Sequence, residues 1–360
     1  MDKTTELFQQ KIRIKDIAER ANVSVGTVDR VLHNRGEVAQ ETRDLINKII
    51  DELQYKPNII ASVLAMKKPF RIGVLIPLPS DQDSYWKFHM DGIEAAVKEL
   101  SHFEISIQKY FFEITSEESL RLQYEQLLEN KPDAVLIVPV FGERGQYITD
   151  RLAKEKIAFS FIDTPFEDER ALSFSGQNSF QSGYIAAKLM SYGISKETTV
   201  LIVNIGCDAY NGPHHTSRAQ GFKAYLNDHN ITETKVRTID IPSGSSDLDV
   251  KEVLTKAFLD YSFVRGLFVT GYEVHRVAKF VDEKKLGNIR MIGYDLLENN
   301  IHYLKKGTID FLISQKPASQ GYKGVMNLFN TLVLKQPLPP KTPMPIDLIT
   351  KENVDFYLYL

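Results

Sequence analysis

The spacing of the apolar residues changes near residue 70, and no other feature of the sequence constrains the fold more. Residues 14–53 place apolar side chains at the three- and four-residue intervals of amphipathic helices. From residue 70 onward, short continuous apolar runs alternate with amphipathic stretches. Runs such as AVLIV at 134–138 are typical of strands buried on both faces, as parallel sheets require. The pattern predicts an all-α helical head followed by an α/β body.

The body is predicted to contain strands and helices in alternation. The predicted strands cover residues 72–77, 105–111, 134–140, 158–162, 199–204, 236–241, 266–270, 290–294 and 311–314. A proline-rich extended segment, 337–345, precedes a last apolar stretch at 346–348. This alternation predicts two lobes, each a doubly wound parallel sheet. A length of 360 residues is enough for two or three compact units.

The head has the residue pattern of a helix-turn-helix. Ala18 is the small residue that lets two helices pack closely, and Ser24 is a plausible N-cap of the second helix. On that second helix, Val28 and Val31 are expected to face the core and to leave Arg30 near the opposite face. A generic three-helix bundle used for protein contacts is the alternative reading of this pattern.

Several short segments of the head resemble the DNA-binding head of the lactose-repressor (LacI/GalR) family. They are IKDIA at 14–18, VSVGTV at 23–28, RVL at 30–32, ETR at 41–43 and LQYKPN at 53–58. The resemblance implies that the second helix enters the major groove of operator DNA. The DNA-binding residues that it implies are Ser24, Val25, Gly26, Thr27, Arg30, Asn34, Asn58 and Leu64. The sequence departs from the family at Asn22, commonly glycine, and at Asp29, usually serine; a carboxylate near phosphates is unfavourable unless it is paired.

The segment that follows the head, 58–65, is apolar on nearly every face. An isolated helix of this length would be unstable in water, so the segment needs a partner. It resembles the hinge helix of the family, which pairs with its counterpart in the dimer and inserts a leucine, here Leu64, into the minor groove. The alternative is a linker that packs its apolar residues on the body.

Polar and aromatic residues follow several predicted strands of the body, where ligands of open α/β sheets bind. Candidate ligand-binding residues from this position are Asp83, Tyr85, Trp86, Asp163, Arg218, Asp295 and Gln315. Aromatic rings offer flat surfaces to the apolar faces of a sugar, and carboxylates, amides and guanidinium groups bind its hydroxyls. The pattern indicates a small carbohydrate ligand, although strand-end aspartates also serve as structural caps.

The body, from about Arg71 onward, resembles periplasmic sugar-binding proteins of the ribose-binding type, which share their fold with the sensor of this family. The resembling stretches are DG at 91–92, RAQGF at 218–222, IGYD at 292–295, ISQKP at 313–317 and QG at 320–321. The resemblance implies that Tyr85 and Trp86 stack on the ligand and that the polar candidates bind hydroxyls. Thr164 replaces a frequent arginine and Gly271, another implied ligand-binding position, replaces a frequent asparagine, so ribose-like specificity is not expected.

Other classes of protein find less support in the sequence. It contains no Gly-x-Ser-x-Gly, no Gly-x-x-x-x-Gly-Lys and no His-Glu-x-x-His motif, so we expect no enzyme and no cofactor. The pair His214-His215, placed in a turn-like segment, is not expected to bind a metal. The only cysteine is Cys207, the first residues lack a secretory signal and no apolar run is long enough for a membrane span, which together predict a cytoplasmic protein. An exported transport protein would lack the head.

Taken together, these features predict a DNA-binding transcriptional regulator, a repressor, whose operator affinity is controlled by a small sugar or sugar-like effector. We expect a helix-turn-helix domain at 1–56, a hinge helix and linker at 57–69, and a sensing domain at 70–360. Within the last, one lobe is expected at about 70–176 and 316–341, and the other at about 177–315 and 342–360. A homodimer or higher oligomer is expected on a pseudo-palindromic operator. The alternative is a sugar-binding module or α/β enzyme with no DNA role; whether the effector releases or promotes DNA binding stays open.

Overall fold

The computed structural model describes residues 13–32, 36, 38–53, 68–79, 85–139, 144–195, 197–206, 212–338 and 341–358. Internal contacts divide the chain into two compact units, Met1–Ala65 and Met66–Leu360. No helix within the described residues is long and apolar enough to cross a membrane.

The head contains three helices: α1 at Ile14–Ala21, α2 at Val25–Leu32 and α3 at Gln40–Glu52. They bury one small apolar cluster, which includes Ile17, Val28 and Ile46. α1 ends at Asn22, whose left-handed φ of 53° is tolerated by asparagine. Ser24 then accepts a hydrogen bond from the backbone N–H of Thr27 at 3.1 Å, as a helix N-cap does. The predicted helix-turn-helix is confirmed.

The second unit consists mainly of strands and helices in alternation. Its elements are β1 at Phe70–Pro77, α4 at Tyr85–Glu99, a 3-10 turn at Leu100–His102, β2 at Ile105–Phe112, α5 at Glu117–Glu129, β3 at Ala134–Ile137, α6 at Arg144–Lys154, β4 at Ala158–Ile162, β5 at Phe174–Gln177, α7 at Ser179–Ser191, β6 at Thr199–Ile205, α8 at Gly212–Asp228, β7 at Lys235–Ile241, α9 at Asp247–Asp260, β8 at Val264–Val269, α10 at Val274–Glu283, β9 at Arg290–Tyr294, α11 at Glu298–Lys306, β10 at Phe311–Ser314, α12 at Pro317–Leu332, β11 at Lys341–Met344, β12 at Asp347–Ile349 and α13 at Val354–Tyr357.

The strands form two sheets with the same order. The first lobe has the order β2-β1-β3-β4-β5-β11 and the second has β7-β6-β8-β9-β10-β12. All neighbours are parallel except β10 and β12, which are antiparallel. In such doubly wound sheets the strand order reverses at β1/β3 and β6/β8, and ligands bind outside the carboxyl ends of the strands there. The predicted fold class, two doubly wound lobes after a helical head, is confirmed.

One pair of helices in each lobe packs so closely that only glycine fits at the contact. A Cβ atom on Gly92 of α4 would lie 1.8 Å from the backbone oxygen of Ala318 on α12. A Cβ atom on Gly183 of α7 would lie 2.0 Å from the backbone oxygen of Arg218 on α8. Both helix pairs therefore require glycine, and their close contact fixes the position of α4 in the first lobe and of α8 in the second.

The chain passes between the lobes after β5, after β10 and after β11. Gln177, at the end of β5, donates its side-chain amide to the backbone oxygens of Ser314 at 2.9 Å and Pro345 at 3.1 Å. The side chain of Gln177, in the first crossover, therefore bonds to residues of the second and third crossovers. The second and third crossovers are also joined by an ion pair of 2.7 Å between Lys316 and Asp347.

Most predicted strands agree with the structure to within two residues at each end, but two strands have no counterpart in the prediction. β5 reads Phe-Ser-Gly-Gln and β11 reads Lys-Thr-Pro-Met, so neither has the apolar run of the buried strands. β11 lies at the edge of its sheet, where Pro343 costs no ladder hydrogen bond. β3 ends at Ile137, earlier than the predicted residue 140.

Candidate functional site

An aromatic cluster at the start of α4 forms one wall of the site. Tyr85 and Trp86 are both buried, and their rings pack edge to face with centroids 5.0 Å apart. Tyr272, which follows β8 in the second lobe, stacks on Tyr85 with centroids 4.7 Å apart and planes inclined by 12°. Rings from both lobes therefore meet in a single stack across the cleft.

The carboxylate of Asp163 lies beside this stack. Asp163 follows β4 and has a left-handed φ of 69°, which directs its side chain away from the strand. Its Oδ1 atom accepts a hydrogen bond from the hydroxyl of Tyr85, and its Oδ2 atom accepts one from Thr164 at 2.9 Å. The Nε2 atom of buried His89 lies 3.8 Å from Oδ1. Thr164, at the position where the family often has arginine, thus orients the aspartate.

Arg218 provides the positive charge of the cleft. It extends from α8, is 1% exposed and places its guanidinium 3.8 Å from the ring centre of Tyr294. One terminal nitrogen donates to the backbone oxygen of Thr270, and the other donates to the side-chain oxygen of Gln315. Among the described residues, the Nε atom has no hydrogen-bond partner. These contacts hold the guanidinium in one orientation.

Asp295 is joined to Arg218 through Gln315. It follows β9 with a left-handed φ of 64° and is 1% exposed. Its Oδ1 atom accepts from the backbone N–H of Gln315 at 2.8 Å, and its Oδ2 atom accepts from the side-chain amide at 2.5 Å. Burial raises the pKa of Asp295 to about 6, although these hydrogen bonds and Arg218 act in the opposite direction.

The second lobe contributes polar residues that the sequence analysis did not single out. Thr270 donates to Asn204 at 2.6 Å and lies 2.7 Å from the Nδ1 atom of His215, so this histidine carries its proton on Nδ1. Asn204 in turn donates to Asp240 at 2.7 Å. Burial, followed by the charge of Arg218, lowers the pKa of His215 to about 3 and keeps it neutral. Strand-end position was the available signal for Asn204 and Thr270.

The histidine pair lies in a different element from the one expected. His214 and His215 are in the first turn of α8, not in a turn-like loop. Burial lowers the pKa of His214 well below its ordinary value, and the neighbouring His215 and Arg218 act in the same direction. A Cβ atom on Gly271 would lie 3.0 Å from the ring of His215, so the small residue makes room for this ring. No group of metal-ligating side chains occurs in the part of the chain that the structure describes.

The head presents the second predicted set of residues on the exposed side of α2. Ser24, Val25, Gly26 and Arg30 are exposed, and Thr27 is partly exposed. The hydroxyls of Ser24 and Thr27 lie 2.9 Å apart, and Arg30 donates its Nε to the backbone oxygen of Gly26 at 3.2 Å. These five residues therefore extend from the N-cap of α2 to its last turn.

Some predicted site residues lie outside the described residues. They are Asn34, Asn58, Leu64 and Asp83. Their assigned roles stay predictions. Cys207, for which no site role is predicted, also lies outside the described residues. The other ligand candidates, Tyr85, Trp86, Asp163, Arg218, Asp295 and Gln315, are brought together at the carboxyl ends of the strands, with Gly271 beside His215.

Comparison with known families matches both units. Residues 13–58 match the family described as bacterial regulatory proteins, lacI family, and residues 72–336 match the periplasmic binding protein domain. The sucrose operon repressor of Lactococcus lactis subsp. lactis is 24% identical over 350 residues, which are 96% of this chain and 95% of that protein. The regulator MalR of Staphylococcus xylosus is 27% identical over 189 residues, 51% of this chain and about half, 54%, of that regulator.

Solved structures are similar to the second unit. A candidate LacI transcriptional regulator from Bacteroides fragilis has a TM-score of 0.74 and 28% identity, covering 81% of this chain and 100% of that chain. GanP, a glucose-galactose binding protein from Geobacillus stearothermophilus, has a TM-score of 0.69 and 19% identity, covering 80% of this chain and 99% of that chain. At that identity the second likeness concerns the fold alone.

Proposed function

We propose that this chain, which belongs to the lacI family of bacterial regulatory proteins and carries a periplasmic binding protein domain, is a DNA-binding transcriptional repressor. We propose further that a small sugar controls it. One observation carries the proposal: aromatic and polar side chains from both lobes meet in one cleft, in a chain that also has a helix-turn-helix head. A similar protein of nearly equal length is a sucrose operon repressor, which accords with a carbohydrate effector.

The effector is proposed to bind in the cleft. Tyr85 and Trp86 supply the flat surfaces on which the apolar face of a sugar stacks. Hydroxyl groups would bind to Asp163, Arg218, Asp295 and Gln315, whose positions are fixed by their bonds to one another. Gly271 lines the site without a side chain, and Asp83 is assigned to it from the sequence. Contacts made by both lobes allow a ligand to favour the closed arrangement.

Binding to DNA is proposed for the exposed side of α2. Ser24, Val25, Gly26, Thr27 and Arg30 would contact the major groove, and Asn34 is assigned to the same interface from the sequence. Asn58 and Leu64 would belong to a hinge helix between a head at 1–56 and a sensing domain at 70–360. A homodimer places two heads on a pseudo-palindromic operator, because one helix-turn-helix contacts few phosphates.

We infer binding rather than catalysis in the cleft. Both carboxylate oxygens of Asp163 and both of Asp295 accept hydrogen bonds from fixed neighbours, which orients them for recognition. A regulator of this kind would act in the cytoplasm, where the operator is. The effector couples to DNA reciprocally, so operator DNA must change sugar affinity by the same factor.

The test is selection of random duplex DNA by the purified full-length protein, repeated with a panel of sugars and with an Arg30→Ala variant. We expect a palindrome to be enriched, its yield to change with one sugar, and the variant to lose the enrichment. An Arg218→Met variant should retain the palindrome and lose the response to sugar. Failure to enrich any DNA under all conditions would overturn the proposal.

A further inference from the structure

We propose that the effector carries no phosphate or carboxylate group and that the buried charges of the cleft exclude anionic sugars. This inference rests on the proposed sugar-binding function and narrows it to one chemical class, a carbohydrate without negative charge. It follows from the charges in the cleft and from the bonds of Arg218, its buried cation among the described residues.

Among the described residues, the buried cleft contains more carboxylates than cations. The side chain of Asp163 is 7% exposed and Asp295 is 1% exposed, whereas Arg218 is the buried arginine between the strand ends. His214 and His215 add no positive charge near neutral pH, since burial lowers the pKa of each. Two carboxylates therefore face one guanidinium. An added anion in this low-dielectric site would meet a repulsion that water does not screen.

Arg218 already makes two hydrogen bonds and one ring contact. Recognition of a phosphate or carboxylate by arginine commonly uses two parallel N–H groups of the fork. Here the two terminal nitrogens donate to Thr270 and Gln315, and one face of the guanidinium packs on Tyr294. Nε lacks a partner among the described residues. The bonds to Thr270 and Gln315 hold the guanidinium in one orientation, so an anion that needed a different orientation would have to break them.

The cation that follows β10 has a carboxylate partner. Lys316 pairs with Asp347 at 2.7 Å. This ion pair would have to break before Lys316 could neutralise a ligand.

Matched sugars test the inference on the full-length protein. Isothermal titration at pH 7.5 would compare D-glucose, D-galactose and D-ribose with glucose 6-phosphate, galactose 6-phosphate, ribose 5-phosphate, glucuronate and galacturonate. We expect binding of a neutral member and at least tenfold weaker binding of its anionic partners. Tighter binding of any phosphate or uronate would overturn this inference and leave the proposed function standing. Failure of every sugar and anion to bind would overturn the proposed effector class, and this inference with it.

Variants that remove a negative charge provide a second test, in which the ratio of the affinities for a neutral sugar and its phosphate is measured. Asp295→Asn removes one buried negative charge and should reduce the preference for the neutral sugar over its phosphate at least threefold, whatever its effect on absolute affinity. Asp260→Asn, a change at an exposed residue, should leave that ratio unchanged. If Asp295→Asn unfolds the protein, Asp163→Asn provides the same test. An unchanged ratio in a folded cleft variant would contradict the proposal.

Discussion

The ring of Tyr85 in the first lobe stacks on the ring of Tyr272 in the second, with centroids 4.7 Å apart and planes 12° apart. An aromatic pair of this kind contributes about 0.5–1.5 kcal/mol beyond its area burial. The stack joins elements that separate when the lobes open, so it favours the closed arrangement even without a ligand. Tyr85 also donates to Asp163, which holds its ring in place.

The first prediction concerns this stack. Tyr272→Ala removes one ring of the pair and should shift the protein toward an open arrangement of the lobes in the absence of sugar. Small-angle X-ray scattering of the ligand-free protein should show an increased radius of gyration. Tyr272→Phe keeps the ring and should behave as the unaltered protein. Equal radii for Tyr272→Ala and Tyr272→Phe would show that the stack has no effect on closure.

The second prediction concerns the pH dependence of sugar binding. The pKa of Asp295 is raised to about 6, and the groups that face it are Gln315, Arg218 and Asp163. A sugar hydroxyl that donates to Asp295 requires the ionised carboxylate. Affinity should therefore be constant above pH 7 and fall up to about tenfold for each pH unit below 6. Titration calorimetry from pH 5 to 8 measures this fall, and Asp295→Asn should abolish it.

The same shift has a consequence for stability, with a definite sign. The folded protein holds the Asp295 proton more tightly than the unfolded chain does, whose carboxyl has the ordinary pKa of 3.8. The contribution of this group to stability is therefore greatest at or below pH 4 and decreases as the pH rises to 6. The free energy of unfolding of the Asp295→Asn variant should lack this component. A difference between the two proteins that is constant from pH 4 to 7 would contradict the assigned pKa.

The third prediction concerns DNA binding by the head. Arg30 is exposed in the last turn of α2, and Gly26, one turn earlier, has no side chain with which to read a base. Loss of a good contact from arginine to a base edge costs about 1–3 kcal/mol. Arg30→Ala should weaken binding of the selected operator by about that amount and relax its sequence preference, as fluorescence anisotropy would show.

A matched variant distinguishes the loss of a contact to a base from the loss of a positive charge. Lys48→Ala removes one positive charge from the exposed surface of α3 and should leave the sequence preference unchanged. The salt dependence of binding should decrease in a variant only if the lost residue contacted a phosphate. Unchanged operator preference in Arg30→Ala would show that another residue reads the bases.

Local signals in the sequence predicted the elements that depend on local chemistry. The apolar run at 134–138 predicted β3, and Asn22 and Ser24 predicted the turn between α1 and α2. β5 and β11 were not predicted, because their positions depend on pairing with other strands rather than on an apolar run. Both strands are short, and the pairing partner of Phe174 is Lys341.

The cleft residues show the same difference between features that local sequence predicts and features that depend on distant contacts. Asp163 and Asp295 could be selected as candidates because each directly follows an apolar strand. The stacking of Tyr272 could not be predicted, since it depends on the closure of two lobes whose contacts lie far apart in the sequence. The link from Asp295 through Gln315 to Arg218 likewise joins residues up to 97 positions apart. Single-sequence patterns report position along a strand, whereas these bonds depend on tertiary packing.

The last prediction concerns Gln177, which joins the three crossovers between the lobes. It is 3% exposed, and its amide donates to the backbone oxygens of Ser314 and Pro345. Gln177→Leu removes both bonds and deprives two carbonyls of this donor. The expected loss in the free energy of unfolding is about 1–3 kcal/mol, measured by urea denaturation. Gln336→Leu, at an exposed position, is the control and should have little effect.

Gln177→Glu distinguishes the loss of a donor from a change of shape. Glutamate has nearly the shape of glutamine, but an ionised carboxylate accepts hydrogen bonds and cannot donate them. At pH 8 it would place a negative charge against two carbonyl oxygens, so it should destabilise the protein at least as much as leucine does. At low pH a protonated glutamate regains one donor, and part of the stability should return. A Glu variant as stable as the unaltered protein at pH 8 would show that these two bonds do not hold the crossovers together.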